Sequence, residues 1–203
     1  MNENRETFFA RLEPFYPPSV LCDIGLAYTL AKYGHRAQVR KETDEEGRPV
    51  RYFEHVRRVA IVLIDEAKVI DPSMTIAALL HDGIEDTRDL TPAMIEHTFG
   101  SDVAQIVKIL SKTPKQGYLD RFMLVDDWRP FVIKACDRID NLRTLTCASY
   151  EFRTKQVSET KEKYYPLFDT MVELTPERFK QRVSILRDTV HKETEIQATL
   201  LRP

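Results

Sequence analysis

The chain is poor in cysteine. Cys22, Cys136 and Cys147 stand in no CxxC pairing, which argues against a disulfide framework and a structural zinc site. They are expected to be small apolar side chains in a reducing cytoplasm. A basic excess is also missing: 30 Lys and Arg against 32 Asp and Glu give a formal net charge of -2, so nucleic acid and anionic membranes are poor candidates for the main partner. No apolar run approaches the roughly 20 residues of a membrane helix, and MNENRETFFARLEPF mixes charges in a way unlike a secretory signal. Glycine is scarce, with 6 residues, and there is no internal repeat, no low-complexity tract and no alternating strand pattern with hairpin turns. What remains is a chain of 203 residues, expected to form one domain with a real core.

The periodicity is helical almost throughout. Val20, Ile24, Ala27, Leu30 and Ala31 recur at spacings of three and four, and Val56, Val59, Ala60, Leu63 and Ala67 do the same. Asp71-Pro72 and Thr91-Pro92 carry an N-cap residue followed by proline in the first turn. Gly100 reads as a stop, with a further helix over about 102–111. Phe131 to Leu145 reads as one long core helix. Two more helices are expected in the tail, near 154–171 and after Thr175-Pro176. Lys41–Pro49, KETDEEGRP, reads as an exposed loop between helices. The fold class is therefore all-α.

Charged residues inside apolar helices are the informative ones. In AALLHDGIEDT an apolar stretch runs into His81, Asp82, Glu85 and Asp86. On a continuing helix these spacings of three and four place all four groups on one broad face, where carboxylates repel unless a cation sits among them. The bland reading is a solvated helix end. His55, alone, reads as a surface or satisfied histidine. Asp137, in FVIKACDRIDNLRTL, is either the ion-pair partner of Lys134 or Arg138, or a ligand. Together, His55, His81, Asp82 and Asp137 offer two imidazoles and two carboxylates. That set suits manganese, iron, cobalt, nickel or zinc better than magnesium or calcium.

The pattern H…HD…D resembles the HD superfamily of metal-dependent phosphohydrolases. In order, GHRAQVRK, RYFEHVRRVA, AALLHDGIEDT, FGSDVAQIVKILSKT, KACDRIDNLRTL and SETKEKYYPL are similar to segments of the hydrolase domain of the RelA/SpoT alarmone enzymes. The chain resembles a free-standing small alarmone hydrolase without a synthetase-sized half. The resemblance spans about 22–170 and implies a single compact helical HD domain over 1–203, with 171–203 as a C-terminal helical extension. It implies one Mn²⁺ per chain on His55, His81, Asp82 and Asp137, with Glu85 and Asp86 handling the attacking water and leaving-group proton. Arg40 and Lys41 match the basic pair that packs on the nucleobase, and Asn141 and Thr144 match nucleotide contacts.

The expected reaction removes the 3′-pyrophosphate of ppGpp or pppGpp, leaving GDP or GTP in the cytoplasm. Adenosine 3′-pyrophosphates or the 2′-phosphate of NADPH would suit the same chemistry. In a different class, a catalytically silent nucleotide sensor would have no need of Glu85 and Asp86. No nucleic acid or membrane partner is expected; a homo-oligomer is left open, as is service to a toxic synthetase. Three departures stand out. Val56 replaces the family's proline. Asp140 replaces a histidine, adding negative charge near the phosphates. Thr43–Arg48 reads as an acidic insertion flanking the base pocket. His35 is expected to hold the loop below Arg40, and His97 and His191 to lie on the surface.

Overall fold

The computed structural model describes residues 3–201; the first two and last two residues of the expected 1–203 domain lie outside this range. In chain order the helices begin with α1 (Arg5–Ala10) and α2 (Pro18–Gly34). A two-stranded antiparallel hairpin follows, β1 (Val39–Thr43) and β2 (Pro49–Arg51). Then come α3 (Tyr52–Ile61), which widens into a π turn over Val62–Glu66, α4 (Pro72–Leu80) and the short α5 (Gly83–Asp86). The remainder is α6 (Pro92–Leu110), α7 (Tyr118–Met123), α8 (Trp128–Arg143), α9 (Tyr150–Glu159), α10 (Tyr165–Leu174) and α11 (Glu177–Thr199). The all-α expectation holds.

The central element is α8. Asp127 caps it by accepting the Arg129 backbone N–H at 3.0 Å. Phe131, Val132, Ile133, Ala135, Cys136 and Ile139 are completely buried, against α3, α4, α6, α10 and α11. Each large apolar side chain buried there contributes about 1.5–3 kcal/mol, which lets the helix carry charged groups into the interior. The start signals at Asp71 and Thr91 are real caps, each accepting a backbone N–H three residues on. Gly100, at φ 87°, kinks α6 and takes a conformation that costs other residues energy.

Several expectations need correction. The KETDEEGRP segment is the hairpin rather than an irregular loop: Asp44 Oδ1 accepts the backbone N–H groups of Glu46 and Arg48 at 3.1 and 2.8 Å and so closes the turn. The helix expected near 154–171 starts at Tyr150 and passes through a second π turn at Thr160–Tyr164. Residue 170 lies within α10, and α11 packs on α8. Of the thiols, only Cys136 is buried; Cys22 and Cys147 are exposed, and all three are free. Among the described residues no helix is long and apolar enough to cross a membrane.

Candidate metal centre and substrate cavity

Three separate helices bring His55, His81, Asp82 and Asp137 together. His55 lies one turn into α3, His81 and Asp82 stand where α4 gives way to α5, and Asp137 lies in the middle of α8. All four are buried. One donor atom from each of His55, His81 and Asp82 lies within 4.8 Å of the others. Asp137 Oδ1 joins them, 3.2 Å from His55 Nε2 and 3.9 Å from His81 Nε2. Gly83 follows Asp82, and a Cβ there would come within 2.7 Å of the Leu90 side chain, which would have to shift.

Neighbouring groups fix the direction of each ligand atom. His81 Nδ1–H donates to the Ala78 carbonyl at 2.8 Å, and His55 Nδ1–H donates to Asp140 Oδ2 at 2.6 Å. Both Nε2 atoms are thereby turned to the centre. His81 Nε2 is buried there, 3.0 Å from Asp82 Oδ2 but without a well-directed hydrogen bond. A buried acceptor left unpaired is costly, and a cation would satisfy it. Tyr52 Oη–H donates to Asp82 Oδ2 at 2.7 Å, and Asn141 Nδ2–H donates to Asp137 Oδ1 at 2.5 Å. Lys134 binds the other Asp137 oxygen at 2.7 Å. Asp137 therefore has the lysine ion pair and also faces the imidazoles. Two imidazole nitrogens and two carboxylates fit a first-row divalent ion.

Electrostatics follow from this crowding. Burial raises the Asp82 and Asp137 carboxyls, but His81 and His55 around the first, and Lys134 with His55 around the second, hold both well below the usual range. Burial by itself would lower His55; hydrogen bonds with Asp137, Asp140 and Asp82 outweigh it and push its pKa up to about 10. Asp86 goes the other way: partial burial, then the negative charges of Asp82 and Glu85, raise its carboxyl.

The expected acidic pair follows Asp82 on α5; neither side chain lines the adjoining cavity. Glu85 Oε2 accepts the Lys112 backbone N–H at 3.1 Å, while Asp86 is exposed. The expected nucleotide contacts also converge: Arg40 donates to Asn141 Oδ1 at 2.9 Å and to Thr144 Oγ1 at 3.2 Å. Lys41 points its ammonium over the Phe152 ring, 4.0 Å from the centroid. Arg40, Lys41, Asn141 and Thr144 line a cavity of about 780 Å³ that reaches Asp137. Its walls carry seven cationic and four acidic side chains, a local positive excess in a chain whose net charge is negative.

The sequence reading missed Tyr52 and Lys112, whose roles depend on tertiary contacts, and offered Lys134 as one of two possible ion-pair partners of Asp137, of which the structure shows the lysine. It also misplaced two groups. Asp140 does not face the cavity; it is buried behind His55 and paired with Arg58. The insertion at Thr43–Arg48 does not line the cavity; the strand before it, Val39–Glu42, does. His35 hydrogen-bonds Gln38 at 2.7 Å and stacks on Tyr52, and His97 is exposed. His191 is half-buried against Tyr165 rather than on the surface.

Comparison with known proteins adds to the geometry. A family model described as HD domain matches residues 27–169. The guanosine-3′,5′-bis(diphosphate) 3′-pyrophosphohydrolase of Aquifex aeolicus is 36% identical over 154 residues, 71% of this chain and 21% of that protein. The bifunctional (p)ppGpp synthase/hydrolase SpoT of Escherichia coli is 32% identical over 168 residues, 77% of this chain and 23% of that protein. The chain thus spans under a quarter of the length of these curated relatives. A solved structure described as a metazoan ortholog of SpoT that hydrolyzes ppGpp is similar at a TM-score of 0.57 and 27% identity, covering 84% of this chain and 95% of that one.

Proposed function

The chain belongs to the HD domain family, and we propose that it is a divalent-metal-dependent alarmone hydrolase, using manganese to remove the 3′-pyrophosphate of ppGpp or pppGpp and leave GDP or GTP. The observation that carries the reading is the convergence of His55, His81, Asp82 and Asp137 from three helices, with a buried His81 Nε2 that has no well-directed hydrogen bond. Relatives named for 3′-pyrophosphohydrolysis support the substrate class. A divalent cation held there supplies Lewis acidity and lowers the pKa of water toward neutrality.

The protein's own groups do the rest. Asp86, whose carboxyl is raised by partial burial and by the charges of Asp82 and Glu85, is suited to taking and returning a proton. Glu85, held by the Lys112 backbone N–H, orients the attacking water in this reading. Lys112, Lys115 and Lys163 line the cavity and meet the polyphosphate. The Arg40 guanidinium, fixed by Asn141 and Thr144, offers a flat cationic surface for a purine.

Pyrophosphate release from ppGpp with Mn²⁺, measured for the wild type and Glu85→Ala, tests the reading. Release by the wild type and loss in the variant support it; no turnover of guanosine or adenosine alarmones contradicts it. Competition between ppGpp and its adenosine counterpart in one assay decides the base.

A further inference from the structure

Behind His55, on the side away from the other ligands, lies a buried polar chain that the proposed chemistry does not use. His55 Nδ1–H donates to Asp140 Oδ2 at 2.6 Å. Arg58 donates from Nε to Asp140 Oδ1 at 2.5 Å and from a terminal nitrogen to Oδ2 at 3.2 Å. The same terminal nitrogen reaches Glu42 Oε1 at 2.7 Å. Asp140 and Glu42 are buried, and Arg58 is about one-third exposed at its side chain. Glu42 belongs to β1, the strand that carries Arg40 and Lys41.

We infer that Asp140 is a positioning residue for the metal centre: it holds the His55 ring in the tautomer and orientation that present Nε2, and Arg58, braced by Glu42, holds Asp140. This rests on the metal centre proposed above. The physical reason is specific to imidazole. Its two nitrogens compete for the proton and the metal, and an anion fixed at Nδ1 settles which one is free to bind. His81 has the Ala78 carbonyl for this purpose; His55 has a full carboxylate, which also increases the basicity of its Nε2. A carboxylate buried without a partner would be costly, and the two-point contact with Arg58 removes that cost. A merely structural role would explain the Arg58–Asp140 pair but not the short bond to a ligand's far nitrogen.

Calorimetric titration of the full chain with Mn²⁺ alone tests this, beside the unfolding midpoint of each metal-free variant. Asp140→Ala is expected to bind Mn²⁺ about 10–100-fold more weakly than wild type. Asp140→Asn, which keeps an acceptor oxygen and the side-chain volume, is expected to recover part of that loss; it also supplies the answer if the alanine variant does not fold. In the Zn²⁺-loaded protein, which is diamagnetic, the His55 Nδ1 proton is expected as a far-downfield resonance that Asp140→Ala abolishes. Unchanged Mn²⁺ affinity in both folded variants, with wild type binding normally, overturns the role of Asp140. Failure of the wild type itself to bind Mn²⁺ removes the metal centre, and this inference with it.

Discussion

The two ends of the cavity are built on opposite principles. At the metal end every ligand side chain is buried and hydrogen-bonded: His81 to the Ala78 carbonyl, and Asp137 to Lys134 and Asn141 with His55 beside it. At the hairpin end Lys41 is exposed, Arg40 is half-buried, and both stand on a two-stranded ribbon whose side chains reach Asn141, Thr144 and Phe152. Cation binding needs fixed donors, because misplacing one ligand forfeits its bond. Purine stacking needs only a flat cationic surface, and tolerates movement. On the proposed reading the site pairs a rigid reaction centre with an adaptable base pocket, and changes at the two ends should have different signatures.

The largest effect is expected at the rigid end. Asp137→Ala leaves the Lys134 ammonium buried and unpaired, which should cost about 3–5 kcal/mol of stability and remove Mn²⁺ binding; denaturant unfolding and metal titration measure the two. Replacing Glu85 with glutamine or Asp86 with asparagine should leave Mn²⁺ bound but lower kcat by about 10²–10⁴-fold, read by steady-state pyrophosphate release. At the adaptable end, Arg40→Ala should remove stacking worth about 1–3 kcal/mol, seen as a raised KM for the nucleotide with kcat little changed. If Arg40→Ala lowers kcat as strongly as Asp86→Asn does, the division between the two ends is wrong.

A further effect, about one order of magnitude per pH unit, is a pH dependence confined to the metal end. With its pKa pushed up to about 10, His55 is protonated in the metal-free chain near neutrality, so Mn²⁺ must displace a proton. Apparent affinity should rise about tenfold per pH unit up to that value, with about one proton released per ion. Titration in buffers of different ionisation enthalpy counts the proton. The raised value also has a stability consequence. In metal-free protein its contribution is full below the unfolded pKa of about 6.5 and fades as the pH climbs toward about 10.

The two ends also differed in how far they were legible in the sequence. Asp137 stood out because a carboxylate in an apolar helix needs a partner, and His81-Asp82 because charge follows AALL directly. Such residues announce themselves by being energetically out of place. The hairpin gave no such sign: VRKET and PVR are too short and too polar to show an apolar alternation, and only Asp44 and its following residues marked the turn. Helices α1 and α7, six residues each, are likewise too short to display a period. Asp140 was noticed as unusual but given the wrong neighbours, since its partner His55 is 85 residues away and no local pattern encodes that contact.

The most direct measurement is an anomalous difference map from crystals of the chain soaked in Mn²⁺. One peak enclosed by His55 Nε2, His81 Nε2 and the carboxylates of Asp82 and Asp137 is the expected result. No peak at that position, or a peak that Asp137 does not reach, would contradict the proposed centre.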